Sequence, residues 1–201
     1  ERLALNVYIT FGLRKNRNLI CTADFNNRRE KKLHKIKNIF PMIYDFENLF
    51  NAYKAGIKCK RYRPDVMAYT DKLEENLIEL QNEFICQTYT VGRYNIFYVY
   101  EPKKRMIMSL TFKDRVAQHA IYSQLNPYFE KQFISESYAC RVGRGTHKAV
   151  NRLHDWLKQT DRKPQRFYYL KLDIAKYFYR IDHEVLMDIL RKKIADEDLL
   201  H

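Results

Sequence analysis

Residues Tyr168 to His183 read YYLKLDIAKYFYRIDH, and the chemistry-bearing group in this stretch is Asp173. A β-branched and aromatic run, which favours an extended strand, ends in that carboxylate. Phe178 follows five residues on, and Asp182 precedes an amphipathic helical pattern. A carboxylate at the end of a strand can hold a divalent cation where phosphates arrive, because magnesium prefers carboxylate oxygens and keeps water or phosphate in its remaining positions. Nucleotidyl transfer needs two such metals about 3.5–4 Å apart, one on the attacking hydroxyl and one on the leaving group. One aspartate cannot build that centre, and in isolation it reads rather as a surface residue at a strand end or one capping a turn. Asp182 is most simply a helix N-cap, with Glu184 near the positive end of the dipole.

Two basic clusters accompany it. Glu101-Pro-Lys103-Lys104-Arg105 sits between two strand-like runs, where Arg can grip phosphate oxygens bidentately and Lys acts as a point charge. A solvated hairpin turn would have the same composition. Arg141-Val-Gly-Arg144-Gly145-Thr146-His147 precedes a helical pattern. Its glycines let backbone amides approach an anion, and the helix dipole would assist. The GxxxxGK[ST] spacing of a Walker loop is absent. The alternative is a helix start capped by Thr146, and both readings can hold together.

Composition supports a polyanionic partner. The 201 residues carry 37 Lys and Arg against 24 Asp and Glu, a formal charge of +13. Such a charge speaks to association with nucleic acid and not to fold. With 16 Tyr and 12 Phe the chain can combine stacking with phosphate contact, although most of these rings are expected in the core. No apolar run has the length of a membrane span, and no signal peptide is visible. Cys21, Cys59, Cys86 and Cys140 lack zinc-ligand spacing and read as reduced, mostly structural thiols of a cytoplasmic protein.

The elements that must position these groups are mixed α+β. LALNVYITF reads as a short strand, and Arg28 to Lys37 as a basic helix face or nucleic-acid arm. Asp45 reads as the N-cap of FENLFNAYKAG, and Arg61–Arg63 as a basic linker. Pro64 opens one longer helix, whose Val66, Tyr69, Leu73, Leu77, Leu80 and Phe84 share a face. RYNIFYVYE and Arg105–Leu110 read as a β-hairpin with a basic tip. A helix over 112–125, with Val116, Ala120, Ile121 and Leu125 inward, is interrupted at Pro127. Another helix follows Thr146, with Val150, Leu153 and Leu157 on one face.

No single motif is distinctive, but their order and spacing are. Glu101–Arg105, Phe112-Lys-Asp-Arg-Val-Ala-Gln-His119, Ser137-Tyr-Ala-Cys-Arg-Val-Gly-Arg-Gly-Thr-His147 and Leu172-Asp-Ile-Ala-Lys-Tyr-Phe178 together resemble the opening motifs of prokaryotic reverse transcriptases, the superfamily of group II intron maturases and retron enzymes. The wording is most similar to reverse transcriptases of diversity-generating retroelements. The resemblance covers about residues 46–201. It implies a fingers subdomain over 41–166 and the start of a palm over 167–201, and it leaves 1–40 as a basic segment of unassigned structure.

The resemblance also implies roles. Asp173 would be the first metal-binding aspartate of a two-Mg2+ site, with the Ile174 backbone beside it. Phe178 would lie under the sugar of the incoming dNTP and disfavour a 2′-hydroxyl. Arg105 and Lys103 would hold the triphosphate, and Arg141 and Arg144 would face template or nucleotide backbone. Asp114 and Arg115 match a family motif with a structural role. Implied partners are an RNA template, a DNA or RNA primer and a dNTP, with a small basic accessory protein if the retroelement likeness holds. The family's later Tyr-x-Asp-Asp hairpin does not occur in this sequence, so one carboxylate stands where catalysis needs three. The expectation is an RNA-directed DNA polymerase fragment, inactive alone, whose open palm edge invites dimerisation. The competing reading is a non-catalytic RNA-binding module derived from such an enzyme. Salt-sensitive RNA binding fits both, whereas a metal-site pattern is needed only by the first.

Overall fold

The computed structural model describes residues 7–13, 19–21, 35–161, 168–175 and 177–201, with side chains described over 35–159, 171–175 and 177–201. The contacts divide the chain into two units, residues 1–34 with 132–188 and residues 35–131 with 189–201. The fold is α+β, helices with a small antiparallel hairpin.

In the second unit, β-poor and helix-rich, α1 (Phe40–Tyr44), α2 (Phe46–Ile57), α3 (Pro64–Asp71) and α4 (Leu73–Ile85) precede a hairpin of β3 (Asn95–Val99) and β4 (Arg105–Ser109), then α5 (Phe112–Glu130). Asp45 caps α2 as the sequence suggests, its Oδ2 accepting from the amides of Glu47 at 3.1 Å and Asn48 at 3.3 Å. The apolar spacing places Ile43, Leu49, Val66, Leu77, Leu80, Val116 and Ala120 in one closed core. Tyr53, Tyr69 and Phe112 pack edge-on and stacked within it, with centroids 5.2–6.4 Å apart.

Buried polar groups lock this core. Asn48 Nδ2 donates to the carbonyls of Ile43 at 2.8 Å and Ala120 at 3.2 Å. Its Oδ1 accepts from Ser123 Oγ and Gln124 Nε2, each at 2.8 Å, so the amide joins α1, α2 and α5 with its hydrogen bonds satisfied. The Tyr69 hydroxyl, by contrast, has no hydrogen-bond partner among the described residues. Burial first, then the charges of Glu79 and Glu83, push its pKa well above the ordinary phenol value.

Two expectations are corrected here. The helix opened by Pro64 is two helices, broken at Lys72 (φ −125°, ψ 44°). Asn76 Nδ2 satisfies the Tyr69 carbonyl at 2.9 Å across the break, a side-chain bond that apolar spacing does not encode. Conversely, α5 runs through Pro127 to Glu130. Proline removes one helical donor near the end of the helix, while Leu125 and Phe129 keep that last turn packed on a smaller cluster of Ile36, Ile39 and Ile194. Residues 189–201 return to this unit. Ile36 and Ile194 form a parallel bridge, and Asp196 Oδ2 accepts from the amides of Ile39 at 2.8 Å and Phe40 at 3.0 Å, capping α1. α8 spans Glu197–Leu200.

The other unit holds β1 (Val7–Leu13), β2 (Leu19–Cys21), α6 (Gly145–Asp161) and β5 (Tyr168–Leu172), in a sheet ordered β2-β1-β5. β1 pairs antiparallel with β5 from Val7↔Leu172 to Phe11↔Tyr168, so the expected N-terminal strand exists and lies against β5. α7 (His183–Arg191) follows a 3-10 turn over Tyr177–Arg180. The basic arm proposed for Arg28–Lys37 falls outside the described residues except for its last three positions, where Ile36 is buried. On α6, Val150 is 57 % exposed and Leu157 36 %, whereas Leu153 and Trp156 are half-buried. Cys59, Cys86 and Cys140 are free and exposed, so these three thiols are not packing residues.

Candidate nucleotide and nucleic-acid site

Asp173 follows directly on Leu172, the last residue of β5 paired with β1. The ladder ends there, and the carboxylate is exposed at the strand end. Ile174 is 59 % exposed beside it, and Phe178, on the 3-10 turn, is 65 % exposed with its ring edge-on to Tyr177 at 5.2 Å. Asp182 caps α7, its Oδ1 accepting from the amides of Glu184 at 2.9 Å and Val185 at 3.2 Å, as its position before the helix implies. Among the described residues no three His, Cys, Asp or Glu side chains converge to hold a metal. Asp173 therefore supplies one hard oxygen donor, and the described residues do not by themselves fit a two-metal centre.

The hairpin presents the other cations. Antiparallel register pairs Ile96 with Met108, Tyr98 with Met106 and Val99 with Arg105. Directly paired residues share a face, so Arg105 emerges beside Val99 and Phe97, opposite the face of Ile96, Tyr98, Met106 and Met108. Lys104 lies over the rings of Tyr98 at 4.8 Å and Tyr100 at 5.8 Å. Lys103 and Arg105 are exposed.

A buried carboxylate holds the root of this hairpin. Asp114 is 2 % exposed and accepts from Tyr89 Oη at 2.8 Å and the Gly92 amide at 3.2 Å on one oxygen. Its other oxygen accepts from Thr111 Oγ1 at 2.5 Å, and Thr111 in turn accepts from the Asp114 amide at 3.3 Å to cap α5. Burial pushes this carboxyl up, but the hydrogen bonds from Thr111, Tyr89 and Gly92 outweigh it and hold the pKa below the ordinary carboxylate value. Arg115 pairs with Asp65. Both residues of the Asp114-Arg115 motif thus have structural partners. The capping-box spacing Thr111-x-x-Asp114 was the available signal for the first of them.

The glycine-containing loop before α6 is held by its own arginines. Arg141 Nη1 donates to the carbonyls of Ile134 at 2.8 Å and Ser137 at 2.9 Å, and Arg144 Nη1 donates to that of Ser135 at 2.9 Å. Arg141 lies 5.4 Å from the Phe133 ring and Arg144 6.0 Å from that of Tyr138. Gly143 (φ +69°) and Gly145 (φ +75°) adopt the left-handed backbone that glycine tolerates best. The helix starts at Gly145, one residue before the suggested Thr146 cap. Asp173, Ile174, Phe178, Arg141 and Arg144 fall in one compact unit, and Lys103 and Arg105 in the other.

Comparison with known proteins finds a family match and several relatives of low identity. The family model described as "Reverse transcriptase (RNA-dependent DNA polymerase)" matches residues 101–199. Nuclear intron maturase 1, mitochondrial, of Arabidopsis thaliana is 27% identical over 89 residues, 44% of this chain and 12% of the relative. Protein YkfC of Escherichia coli (strain K12) is 30% identical over 103 residues, 49% of this chain and 26% of the relative. Uncharacterized mitochondrial protein ymf11 of Marchantia polymorpha is 28% identical over 89 residues, 44% of this chain and 11% of the relative. The chain spans between 11% and 26% of the length of these curated relatives. The matches show a likeness to reverse transcriptases for the segment from Glu101 to Leu199, and the helix-and-hairpin fold is consistent with partial fingers and palm. Among the described residues no helix is long and apolar enough to cross a membrane.

Proposed function

We propose that this chain supplies the fingers and the first catalytic carboxylate of an RNA-directed DNA polymerase of the prokaryotic, retroelement-encoded type, with wording nearest to the diversity-generating group. The observation that carries the reading is Asp173, exposed directly after the last paired residue of β5 and inside the segment that matches the reverse transcriptase family. In the intact enzyme Asp173, with the Ile174 backbone beside it, would supply one carboxylate of a magnesium site that needs further donors. Magnesium there would neutralise phosphate charge and activate the primer hydroxyl. Arg105 and Lys103 grip the triphosphate, and Phe178 takes the sugar face and disfavours a ribose. Arg141 and Arg144 shape the loop that borders template or nucleotide backbone. An RNA template is held through phosphates and 2′-hydroxyls. The side of β5 away from β1 offers an edge to a second copy.

The test is primer extension on an RNA template with the protein as its gene encodes it, beside the 201-residue chain. The whole product is expected to extend, and the 201-residue chain alone is not. Asp173→Asn should slow extension on the order of a thousandfold, and Phe178→Ala should raise ribonucleotide incorporation relative to deoxyribonucleotide. A whole product that binds RNA but never extends a primer would favour the second reading, a non-catalytic RNA-binding module. The net charge of +13 is the observation on that side.

A further inference from the structure

The turn between α2 and α3 carries features that the polymerase reading does not use. Residues 58–63 read Lys-Cys-Lys-Arg-Tyr-Arg, and every one is exposed. Lys58, Lys60, Arg61 and Arg63 form no ion pair among the described residues. The nearest acid in sequence, Asp65, is engaged by Arg115. The ring of Tyr62 stands between these cations at 93 % exposure. The turn is nonetheless ordered: Lys60 N donates to the Ile57 carbonyl at 2.9 Å and Arg63 N to that of Lys60 at 3.1 Å. The Arg63 carbonyl then starts α3, accepting from Val66 at 3.0 Å and Met67 at 2.9 Å. An open groove of about 330 Å³ adjoins the turn, with Arg61, Tyr53, Ile57, Met67 and Asp71 among its lining residues.

A turn that only needed solubility would not hold a large ring out in water among four like charges. Cations flanking an exposed ring on both sides match a strand of phosphates whose bases are unpaired, since stacking on an aromatic face requires a base that is free of its duplex. A membrane surface would call for a wider apolar face than one tyrosine and the half-exposed Met67 provide. We propose that Lys58–Arg63 is a single-stranded nucleic-acid subsite, in which the four cations bind successive phosphates, Tyr62 stacks on a base, and the adjoining groove receives a neighbouring base. It lies wholly in the unit of residues 35–131 with 189–201. It rests on charge, exposure and shape, and not on the polymerase reading.

The test is fluorescence anisotropy of a labelled twenty-nucleotide single strand, RNA and DNA in separate arms, with the 201-residue chain. Lys58, Lys60, Arg61 and Arg63→Gln together should raise Kd at least about tenfold and reduce the slope of log K against log salt by about 3. A control with the same charge removed elsewhere, Lys131, Lys158, Lys192 and Lys193→Gln, should bind nearly as the parent does. Tyr62→Ala should weaken single-strand binding by at least about fivefold at an unchanged salt slope, and leave binding of the matching duplex alone. A loop variant no weaker than the control, or Tyr62→Ala indistinguishable from the parent, overturns the subsite. So does equal affinity for vesicles of anionic lipid that the loop variant also loses. Primer extension is not its readout, so an inactive polymerase leaves the result intact.

Discussion

Asp114 shows how much one buried carboxylate can organise. It receives two hydroxyls and an amide, and its charge is held to lower pH than in an unfolded chain. As pH falls, the unfolded state therefore takes up the proton first. The stability this group contributes is complete above the unfolded carboxyl value of about 4 and is lost as pH drops through the folded value. Asp114→Asn places an amide donor against donors already present. It should lower stability at pH 7 by about 1–3 kcal/mol, and the acid limb of a chemical-denaturation series should flatten in that variant. Sequence alone located Asp173, Asp182 and the Asp114-Arg115 motif, because strand ends and helix caps leave local signals. It could not foresee that the Arg141 and Arg144 guanidiniums bond the carbonyls of 134–137, since a loop's internal bonding depends on how the chain turns back on itself.

At the scale of elements, the hairpin is anchored at its base and exposed along its strands. Ile96 is 57 % exposed, Tyr98 50 % and Phe97 47 %, so both faces of β3 meet solvent. Alternation of residue types revealed the strands and the tip, but it cannot say whether anything covers either face. The root is tight: a Cβ at Gly92 would lie 2.9 Å from Asp114 Oδ2 and 3.2 Å from Thr111 Cγ2. Gly92→Ala therefore forces a held carboxylate to shift, and should cost about 1–3 kcal/mol with faster amide exchange at the start of β3. The helices were legible where apolar spacing alone sets them, as in α2 and in the buried face of α4. They were misread where side chains and packing override spacing: Asn76 bonds the Tyr69 carbonyl across the break at Lys72, and packing carries α5 past Pro127.

For the whole molecule, the charge of +13 was readable at once, whereas the interleaving of the two units was not, because no local pattern pairs residues so far apart. Asp196 caps α1 across 157 residues of sequence, and Ile36 bridges to Ile194 beside it. Asp196→Ala strands the Ile39 and Phe40 amides. It should lower the unfolding midpoint by an amount equivalent to about 1 kcal/mol while the fold elsewhere stays intact, which amide exchange resolved by residue would record. That latch also has a consequence for synthesis. A ribosome adds about 5–20 residues each second, so the first turn of α1 waits on the order of ten seconds or more for its cap to be made. During that interval the apolar positions Ile36 and Ile39 stand uncovered on a nascent chain. The unit that holds residues 35–131 thus waits for residues 189–201, and its early exposed surface is where a chaperone would have reason to linger.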